Sequence, residues 1–209
     1  LSEVPEFQVA EEELRAVTES FAGDYMQVPP MYSALKVNGK KLYELAREGR
    51  TVERKPRPVH FYEIEILDID FPLVRFRVTC SKGTYIRTLC HDIGEKLGCG
   101  AAMETLLRTK VGRFTLDDAI TLAQTEEAVR NGEIEQRILG IEEILAEYPR
   151  VCCTKEGDRL LANGNPLVQA LVDAQEKKGW IRMCSSEGSF AGVYQWDEKR
   201  DRYFPVKMF

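Results

Sequence analysis

The chain has 209 residues, of which 29 are lysine or arginine and 34 are aspartate or glutamate, so its net charge is -5. Hydrophobic residues make up 44%, enough to bury a core in one large domain or two smaller ones. No apolar run approaches the length of about 20 residues that a membrane-spanning helix requires, and the acidic start from Glu3 to Glu13 is unlike a signal peptide. These features favour a cytoplasmic protein with no membrane segment.

The cysteines and histidines do not form the pattern of a metal site. Six cysteines are present, but three of them fall in or beside predicted regular elements and Cys152 and Cys153 are adjacent. We therefore expect reduced and mostly buried thiols. Paired spacing such as Cys-x-x-Cys is absent, and His60 and His91 are far apart. The sequence predicts no metal.

The first half of the chain reads as helices and antiparallel strands. Residues 11 to 21 have the apolar spacing of a helix, and Lys41 to Glu48 form a shorter helical pattern that ends at Gly49. Residues 62 to 66 and 74 to 80 alternate as strands that can pair across the turn at Asp70-Phe-Pro. A sheet covered by helices is expected.

A helix is predicted directly after the second of these strands. Gly83 forms the turn, Thr84 is the predicted N-cap, and Gly98 ends an apolar stripe with helical spacing. Arg87 lies in the first turn of this helix, where the unpaired amides carry roughly half a positive charge. A guanidinium is disfavoured there unless an anion is nearby, so we expect Arg87 to be half of an ion pair. The alternative is a solvated surface arginine.

The second half of the chain changes character at Pro149. Before it, residues 101 to 107 are predicted to be helical, residues 111 to 114 extended, and residues 134 to 145 an apolar stripe. After it come short apolar runs, separated by glycine, asparagine and charged turns, at 167–172, 180–184, 190–196 and 203–209. Such runs predict a small β-barrel.

Charge is segregated along the chain. Residues 27 to 115 hold 16 basic and 10 acidic residues, whereas the rest holds 13 basic and 24 acidic. The stretch from Lys36 to Arg57 alone has a net charge of +5 over 22 residues, with Tyr43 among the cations. Cations with interleaved tyrosine are typical of surfaces that bind RNA phosphates, although a basic run is also compatible with a solvated face.

Two blocks of the sequence resemble signature blocks of the TruB family of tRNA pseudouridine synthases: Gln27-Val-Pro-Pro-Met-Tyr-Ser-Ala-Leu-Lys36 and Cys80-Ser-Lys-Gly-Thr-Tyr-Ile-Arg-Thr-Leu89. Further similarity follows in the family's order at 39–43, 46–47, 57–59, 98–101 and 114–119. The resemblance implies an α+β fold with a mixed, largely antiparallel sheet and helices, the C-terminal half of the pseudouridine synthase fold. It places this catalytic portion at residues 1–149, with an RNA-binding thumb at about 30–58, and a small β-barrel PUA-like RNA-binding domain at 150–209.

The resemblance also implies a reaction and a set of site residues. Members isomerise the T-loop uridine of tRNA, at position 55, to pseudouridine without a cofactor. Arg87 matches the residue that pairs with the nucleophilic aspartate, and Leu106 matches one that packs against the target base. The partner is the T-arm stem-loop, and the predicted RNA-binding residues are Tyr32, Lys36, Lys40, Lys41, Arg47, Arg54, Arg57, Lys82, Tyr85 and Arg108.

The sequence departs from the family pattern at one point. Members carry the nucleophilic aspartate in a Gly-Thr-Leu-Asp-Pro block upstream of the segment that matches Gln27 to Lys36, and these 209 residues contain no such block. We therefore expect a C-terminal part that is inactive alone and whose partner is the missing N-terminal half of the catalytic domain. An RNA-binding fragment without catalysis is the main alternative. The acidic flanks leave a third possibility, an interaction protein that does not bind RNA.

Overall fold

The computed structural model describes residues 8–173 and 177–209, so the beginning of the acidic start, residues 3 to 7, lies outside the described residues. The chain forms two compact units that divide between Arg113 and Phe114. Helices combine with largely antiparallel sheets, which confirms the α+β prediction. The domain boundary predicted at Pro149 falls within the second unit and stays a prediction.

The first unit builds its sheet from three strands. Its elements in chain order are α1 (Glu11–Glu19), β1 (Gly23–Gln27), β2 (Lys36–Val37), β3 (Lys40–Lys41), α2 (Leu42–Arg47), β4 (Arg57–Asp70), β5 (Leu73–Cys80), α3 (Ile86–Lys96) and β6 (Lys110–Val111). The sheet order is β1-β4-β5, and both pairings are antiparallel. The predicted pairing of the strands around the turn after Asp70 is confirmed, since β4 and β5 form this hairpin.

Helices α1 and α3 pack on one face of this sheet. The alternation of β5 directs its apolar residues toward the helices, while Arg75 and Arg77 are exposed. The buried residues of this core are Leu14, Phe21, Val59, Phe61, Leu89 and Ile93. Removal of these apolar side chains from water stabilises the unit by roughly 1.5–3 kcal/mol for each fully buried large side chain.

One strand residue lies on the opposite face from the one predicted. The period-two pattern places Tyr62 with Ile64 and Ile66 on the buried face, but Tyr62 is 64% exposed and Phe61 is only 1% exposed. The pairing register with β5 shifts between Phe61 and Glu63. A β-bulge adds one residue to a strand and reverses the alternation on one side of it.

Close packing at Gly94 determines how the chain leaves α3. A Cβ at Gly94 would lie 2.1 Å from the main-chain nitrogen of Ala101 and 2.3 Å from the carbonyl carbon of Gly100. The main-chain nitrogens of Cys99 and Gly100 both donate to the Gly94 carbonyl oxygen, at 3.1 and 3.0 Å. The helix ends at Lys96, two residues before the predicted stop Gly98, which has φ of 73°, and the chain folds back against the helix.

The predicted helix at 101–107 is not formed. Residues 101 to 109 have no regular structure, and nearly all of them are exposed. A helix of this length has too few hydrogen bonds to offset its nucleation cost unless an apolar face packs against something. The segment lacks such packing among the described residues, so the prediction was wrong.

The second unit holds short helices and a larger sheet. Its elements are β7 (Phe114–Thr115), α4 (Leu122–Arg130), a 3-10 helix (Ile134–Arg137), α5 (Ile141–Ile144), β8 (Arg150–Cys152), α6 (Asp158–Ala162), β9 (Leu167–Val168), a 3-10 helix (Gln169–Leu171), β10 (Trp180–Cys184), β11 (Phe190–Asp197) and β12 (Arg202–Met208). The expected stripe at 134–145 is broken, because Ile138 is extended and 65% exposed, and α5 begins only at Ile141.

The C-terminal strands form a curled half-barrel sheet with the order β8-β10-β11-β12-β9. Strands β8 and β10 are parallel, and the other pairs are antiparallel. Tyr194, Tyr203, Leu167 and Met183 are completely buried in its core. The four predicted apolar runs correspond to β9 to β12, although most of the first run is a 3-10 helix and β8 was not predicted.

All six cysteines are free thiols, three of them buried and three half-buried. Burial raises the pKa of the thiols of Cys90 and Cys184, which favours the protonated form. Within the described ranges, no helix is both long enough and apolar enough to cross a membrane.

Candidate nucleic-acid interface

The turn before α3 is held by short-range hydrogen bonds. The Thr84 hydroxyl donates to the Ser81 carbonyl oxygen at 2.8 Å, and Gly83 adopts φ of 88°, where L-residues are strained. The helix starts at Ile86, and its N-cap is Tyr85, not the predicted Thr84. Thr84 is not the cap because its hydroxyl bonds backward into the turn, where it closes the loop instead of satisfying a helix amide.

Arg87 lies in the first turn of α3, as predicted, and its side chain is exposed. One terminal nitrogen, Nη2, donates to the main-chain carbonyl oxygen of Tyr32 at 2.9 Å. Across residues 8–173 and 177–209, the structure gives Arg87 no carboxylate partner, and the first turn of α3 holds no acidic residue. The predicted ion pair therefore stays a prediction, and the side chain is tied to the start of the thumb.

Gln27, at the end of β1, holds the other side of this helix start. The main-chain nitrogen of Tyr85 donates to Gln27 Oε1 at 2.8 Å, and Gln27 Nε2 donates to the Tyr85 carbonyl oxygen at 3.1 Å. Sequence reasoning missed both β1 and this glutamine. The available signal was the short alternation that begins after Gly23 and places Tyr25 and Gln27 on the same side.

The thumb, residues 30–58, has a small apolar base. Strands β2 and β3 form a hairpin whose turn residues Asn38 and Gly39 have φ of 51° and 82°. Helix α2 follows directly, and it buries Leu42 and Leu45. Glu44 accepts a hydrogen bond from the main-chain nitrogen of Lys41 at 3.1 Å, which caps the helix start. The short helix predicted in this region is confirmed.

The predicted cations of the thumb differ in their surroundings. Lys36 and Arg57 are exposed, and Lys40 Nζ lies 3.7 Å from Glu48 Oε1. Arg54 is half-buried, and its Nη1 donates to the Pro29 carbonyl oxygen at 3.0 Å. Arg54 thus joins the two ends of the thumb, and any phosphate contact by it remains a prediction.

Tyr43 organises two further cations. Lys41 Nζ donates to the Tyr43 hydroxyl at 3.2 Å, and the Arg47 guanidinium carbon lies 5.4 Å from the centre of the Tyr43 ring. The hydrogen bond to Tyr43 raises the pKa of Lys41 above its ordinary value. Both cations therefore sit on one aromatic side chain at the surface of the thumb.

The remaining predicted site residues line the surface near these elements or follow α3 in the chain. Tyr32 is 59% exposed, Lys82 is exposed in the turn, and Tyr85 is half-buried. Arg108 is exposed in the irregular segment after α3, and so is Leu106, at 57%. Because the helix predicted at 101–107 is not formed, Leu106 has no helical face on which to be buried. The predicted contact of Leu106 with the target base stays a prediction.

A Tyr–Asp–His group forms a second link between β1 and α3. The Tyr25 hydroxyl donates to Asp92 Oδ2 at 2.9 Å, and His91 Nδ1 lies 3.2 Å from Asp92 Oδ1. Burial, with the nearby Asp92 carboxylate, raises the pKa of Tyr25 to about 12. In the described part of the chain, no group of three or more His, Cys, Asp or Glu side chains is arranged to hold a metal.

Family models match two adjoining stretches of the chain. Residues 2–86 match the TruB family pseudouridylate synthase N-terminal domain, and residues 87–146 match the tRNA pseudouridylate synthase B C-terminal domain. The boundary between the two matches falls immediately before Arg87. Together they cover both signature blocks, the thumb and all predicted site residues.

Curated relatives carry the name tRNA pseudouridine synthase B. The relative from Lachnoclostridium phytofermentans is 48% identical, with 91% of this chain and 66% of the relative aligned. That from Clostridium novyi is 49% identical over 91% of this chain and 65% of its own length, and that from Limosilactobacillus reuteri is 38% identical over 97% and 68%. The chain thus spans about two thirds of the length of these relatives, and slightly less for the first two.

Solved structures share the fold. A chain in the crystal structure of a Cbf5-Nop10-Gar1 complex aligns with a TM-score of 0.70 at 25% identity, over 97% of this chain and 63% of that chain. A chain of an H/ACA RNP bound to a substrate RNA containing 2'-deoxyuridine aligns with a TM-score of 0.67 at 22% identity, over 96% and 62%. The second match, at this identity, speaks for the fold alone.

Proposed function

Because the chain belongs to the TruB family of pseudouridylate synthases, we propose that it forms part of a tRNA pseudouridine synthase. The reaction isomerises the T-loop uridine at position 55: the bond between base and ribose breaks, the base rotates, and a bond from ribose to base carbon forms. No electrons are gained or lost and no cofactor is needed. The relatives' shared name supports this substrate class.

The position of Arg87 carries the proposal. Its guanidinium is exposed at the first turn of α3, next to the thumb, and is held by one hydrogen bond to the Tyr32 carbonyl oxygen. A guanidinium in this position favours the ionised form of a carboxylate beside it and orients both oxygens. We assign to Arg87 the pairing with a nucleophilic aspartate that lies outside these 209 residues.

The thumb is proposed to bind the RNA backbone. The target uridine is stacked in the T-arm loop, so it must be extruded before the ribose can be attacked, and extrusion requires a firm hold on the backbone. Lys36, Lys40, Lys41, Arg47 and Arg57 lie on or beside the thumb and neutralise phosphates in this proposal. The same role is proposed for Arg54 in addition to its bond with Pro29.

Five residues outside this group of cations complete the proposed contacts. Lys82 and Arg108 approach the RNA backbone, Tyr85 shapes the base pocket, and the exposed Leu106 packs against the target base. Tyr32 contacts RNA through its exposed ring. The half-barrel sheet after Pro149 is proposed to be a PUA-like RNA-binding domain, and the location of the protein to be the cytoplasm.

This chain alone is proposed to bind tRNA without converting it, because it contains no Gly-Thr-Leu-Asp-Pro block. Its partner would be the N-terminal half of the catalytic domain. The test is tritium release from tRNA labelled at the uridine base carbon that becomes bonded to ribose. We expect no release from the 209-residue chain, and release when the upstream third of the Lachnoclostridium phytofermentans relative is fused to it.

Each outcome of this experiment is decisive. Release by the unfused chain would contradict the proposed need for an upstream nucleophile. A folded fusion that binds tRNA and releases no tritium would instead favour the alternative, an RNA-binding chain without catalysis. An Arg87→Lys fusion is the matched control, because it keeps the charge but loses the two-pronged geometry that orients a carboxylate.

A further inference from the structure

Gln27 is an unusual residue for the interior of a small sheet. It occupies the last position of β1, and it is 1% exposed, although the residues on either side of it, Met26 and Val28, are exposed. A buried primary amide is costly unless its donor and acceptor are both satisfied. The amide of Gln27 must therefore have specific hydrogen-bond partners at this position.

Main-chain atoms of Tyr85 are the partners of the Gln27 side chain. Both hydrogen bonds of the Gln27 amide go to the main chain of Tyr85, with Oε1 accepting at 2.8 Å and Nε2 donating at 3.1 Å. Tyr85 is the N-cap of α3, and its carbonyl oxygen also accepts from the main-chain nitrogens of Thr88 and Leu89, both at 3.1 Å. Gln27 thus fixes the residue from which the first turn of α3 starts, two positions before Arg87.

Two arginines also hold the stretch of chain that begins at Gln27. Arg87 donates to the Tyr32 carbonyl oxygen at 2.9 Å, and Arg54 donates to the Pro29 carbonyl oxygen at 3.0 Å. The six residues from Gln27 to Tyr32 lead from the sheet into the thumb. Three long side chains therefore fasten this segment to α3 and to the end of the thumb.

We propose that Gln27 is a positioning residue that couples the thumb to Arg87. It sets the first turn of α3 against the base of the thumb, so that the thumb cations and Arg87 meet one RNA molecule in a single fixed geometry. Gln27 does not touch the RNA, because its side chain is buried. This inference rests on the proposed function, since it assigns the coupling to RNA recognition.

Two substitutions of similar volume separate positioning from packing. Gln27→Met keeps the length of the side chain and loses both hydrogen bonds. In Gln27→Glu, an ionised carboxylate still accepts a hydrogen bond from the Tyr85 nitrogen. Its other oxygen faces the Tyr85 carbonyl oxygen, and two acceptors without a proton repel each other. Once protonated, the carboxyl group restores both bonds, and burial raises the pKa of such a group. Gln195→Met, at an exposed position of β11, is the matched control.

The test measures the affinity of the 209-residue chain for a fluorescent T-arm hairpin, normalised to the unsubstituted chain at each pH. At about pH 8 we expect Gln27→Met and Gln27→Glu to bind about tenfold more weakly, because the two RNA-contacting parts are no longer preorganised. At about pH 5 the glutamate variant recovers to within about twofold, whereas the methionine variant stays weak. Circular dichroism confirms that each variant is folded under the binding conditions.

The outcomes distinguish the inference from the proposed function. If Gln27→Met binds like the unsubstituted chain, or if folded Gln27→Glu stays weak at low pH, the positioning role is refuted while RNA binding stands. If the unsubstituted chain itself fails to bind the hairpin, the proposed function is refuted and the inference falls with it. Faster amide exchange at Thr88 and Leu89 in Gln27→Met reports, independently of RNA, whether the two Gln27–Tyr85 hydrogen bonds hold the helix start.

Discussion

Neutralising two thumb cations should reduce the salt dependence of RNA binding. Lys36 and Arg47 suit this test because both are exposed, and across the described residues neither forms an ion pair. Lys40 is a poorer choice, since it lies 3.7 Å from a Glu48 oxygen, and Arg54 is tied to the Pro29 carbonyl oxygen. The double variant Lys36→Gln with Arg47→Gln leaves the Lys40 and Arg54 contacts in place and gives up the contact of Arg47 with the exposed thumb residue Tyr43.

The expected size of the effect follows from counterion release. Each phosphate contact contributes about 0.7–0.9 to the slope of log affinity against log salt concentration. The loss of two contacts therefore lowers the slope by about 1.6, and raising the salt from about 50 mM to about 200 mM weakens the variant about tenfold less than the unsubstituted chain.

Fluorescence anisotropy with a labelled T-arm hairpin measures this slope at several salt concentrations. The control is Arg15→Gln with Arg130→Gln, which changes the net charge equally but removes cations from α1 and α4. Both arginines sit on helix surfaces, where they pair with Glu11 and Glu126. If the two double variants change the slope equally, the thumb is not the grip and the reasoning from its charge fails.

Three further outcomes are expected. Gly94→Ala should lower the urea midpoint, with a loss of about 1–3 kcal/mol, because the new Cβ overlaps main-chain atoms of Gly100 and Ala101. Phe61→Ala should cost about 3–5 kcal/mol in the same assay, since Phe61 is 1% exposed in the first core. Ultraviolet titration should find Tyr25 ionising near pH 12. Because the folded-state pKa of Tyr25 is raised, the stability that this shift contributes is present below about pH 10 and is lost as the pH rises toward 12. The variant Asp92→Asn should lose less stability over this pH range.

The pattern of apolar residues predicted the elements that pack against each other. The hairpin of β4 and β5, helix α1, helix α2 and the stripe of α3 all follow from periodicity, because each buries one face. The pattern gave wrong predictions where the apolar residues that it groups together are not buried together. A bulge after Phe61 moved Tyr62 to the exposed face, and the segment at 101–109 has no partner surface among the described residues that would stabilise a helix.

The sequence indicated some residues of the candidate site and missed Gln27. Position in the motif was enough to indicate Arg87, and charge was enough to indicate the thumb cations. Gln27 carries no charge and lies in a strand too short for a clear period, so no local signal indicates its role. That role depends on a partner 58 positions away in the chain. Contacts of this kind are set by how β1 lies against α3, which no local pattern encodes.

The two arginines at the base of the thumb differ in how much of their hydrogen-bonding capacity the fold leaves available. A guanidinium has five N–H donors. Arg54 is half-buried and spans the two ends of the thumb through Pro29, so burial restricts what else it can bind. Arg87 is exposed, and its one described hydrogen bond, to the Tyr32 carbonyl oxygen, uses a single donor. Arg87 thus keeps donors available for the two-pronged contact that a carboxylate makes, while the existing bond holds the side chain in place beforehand.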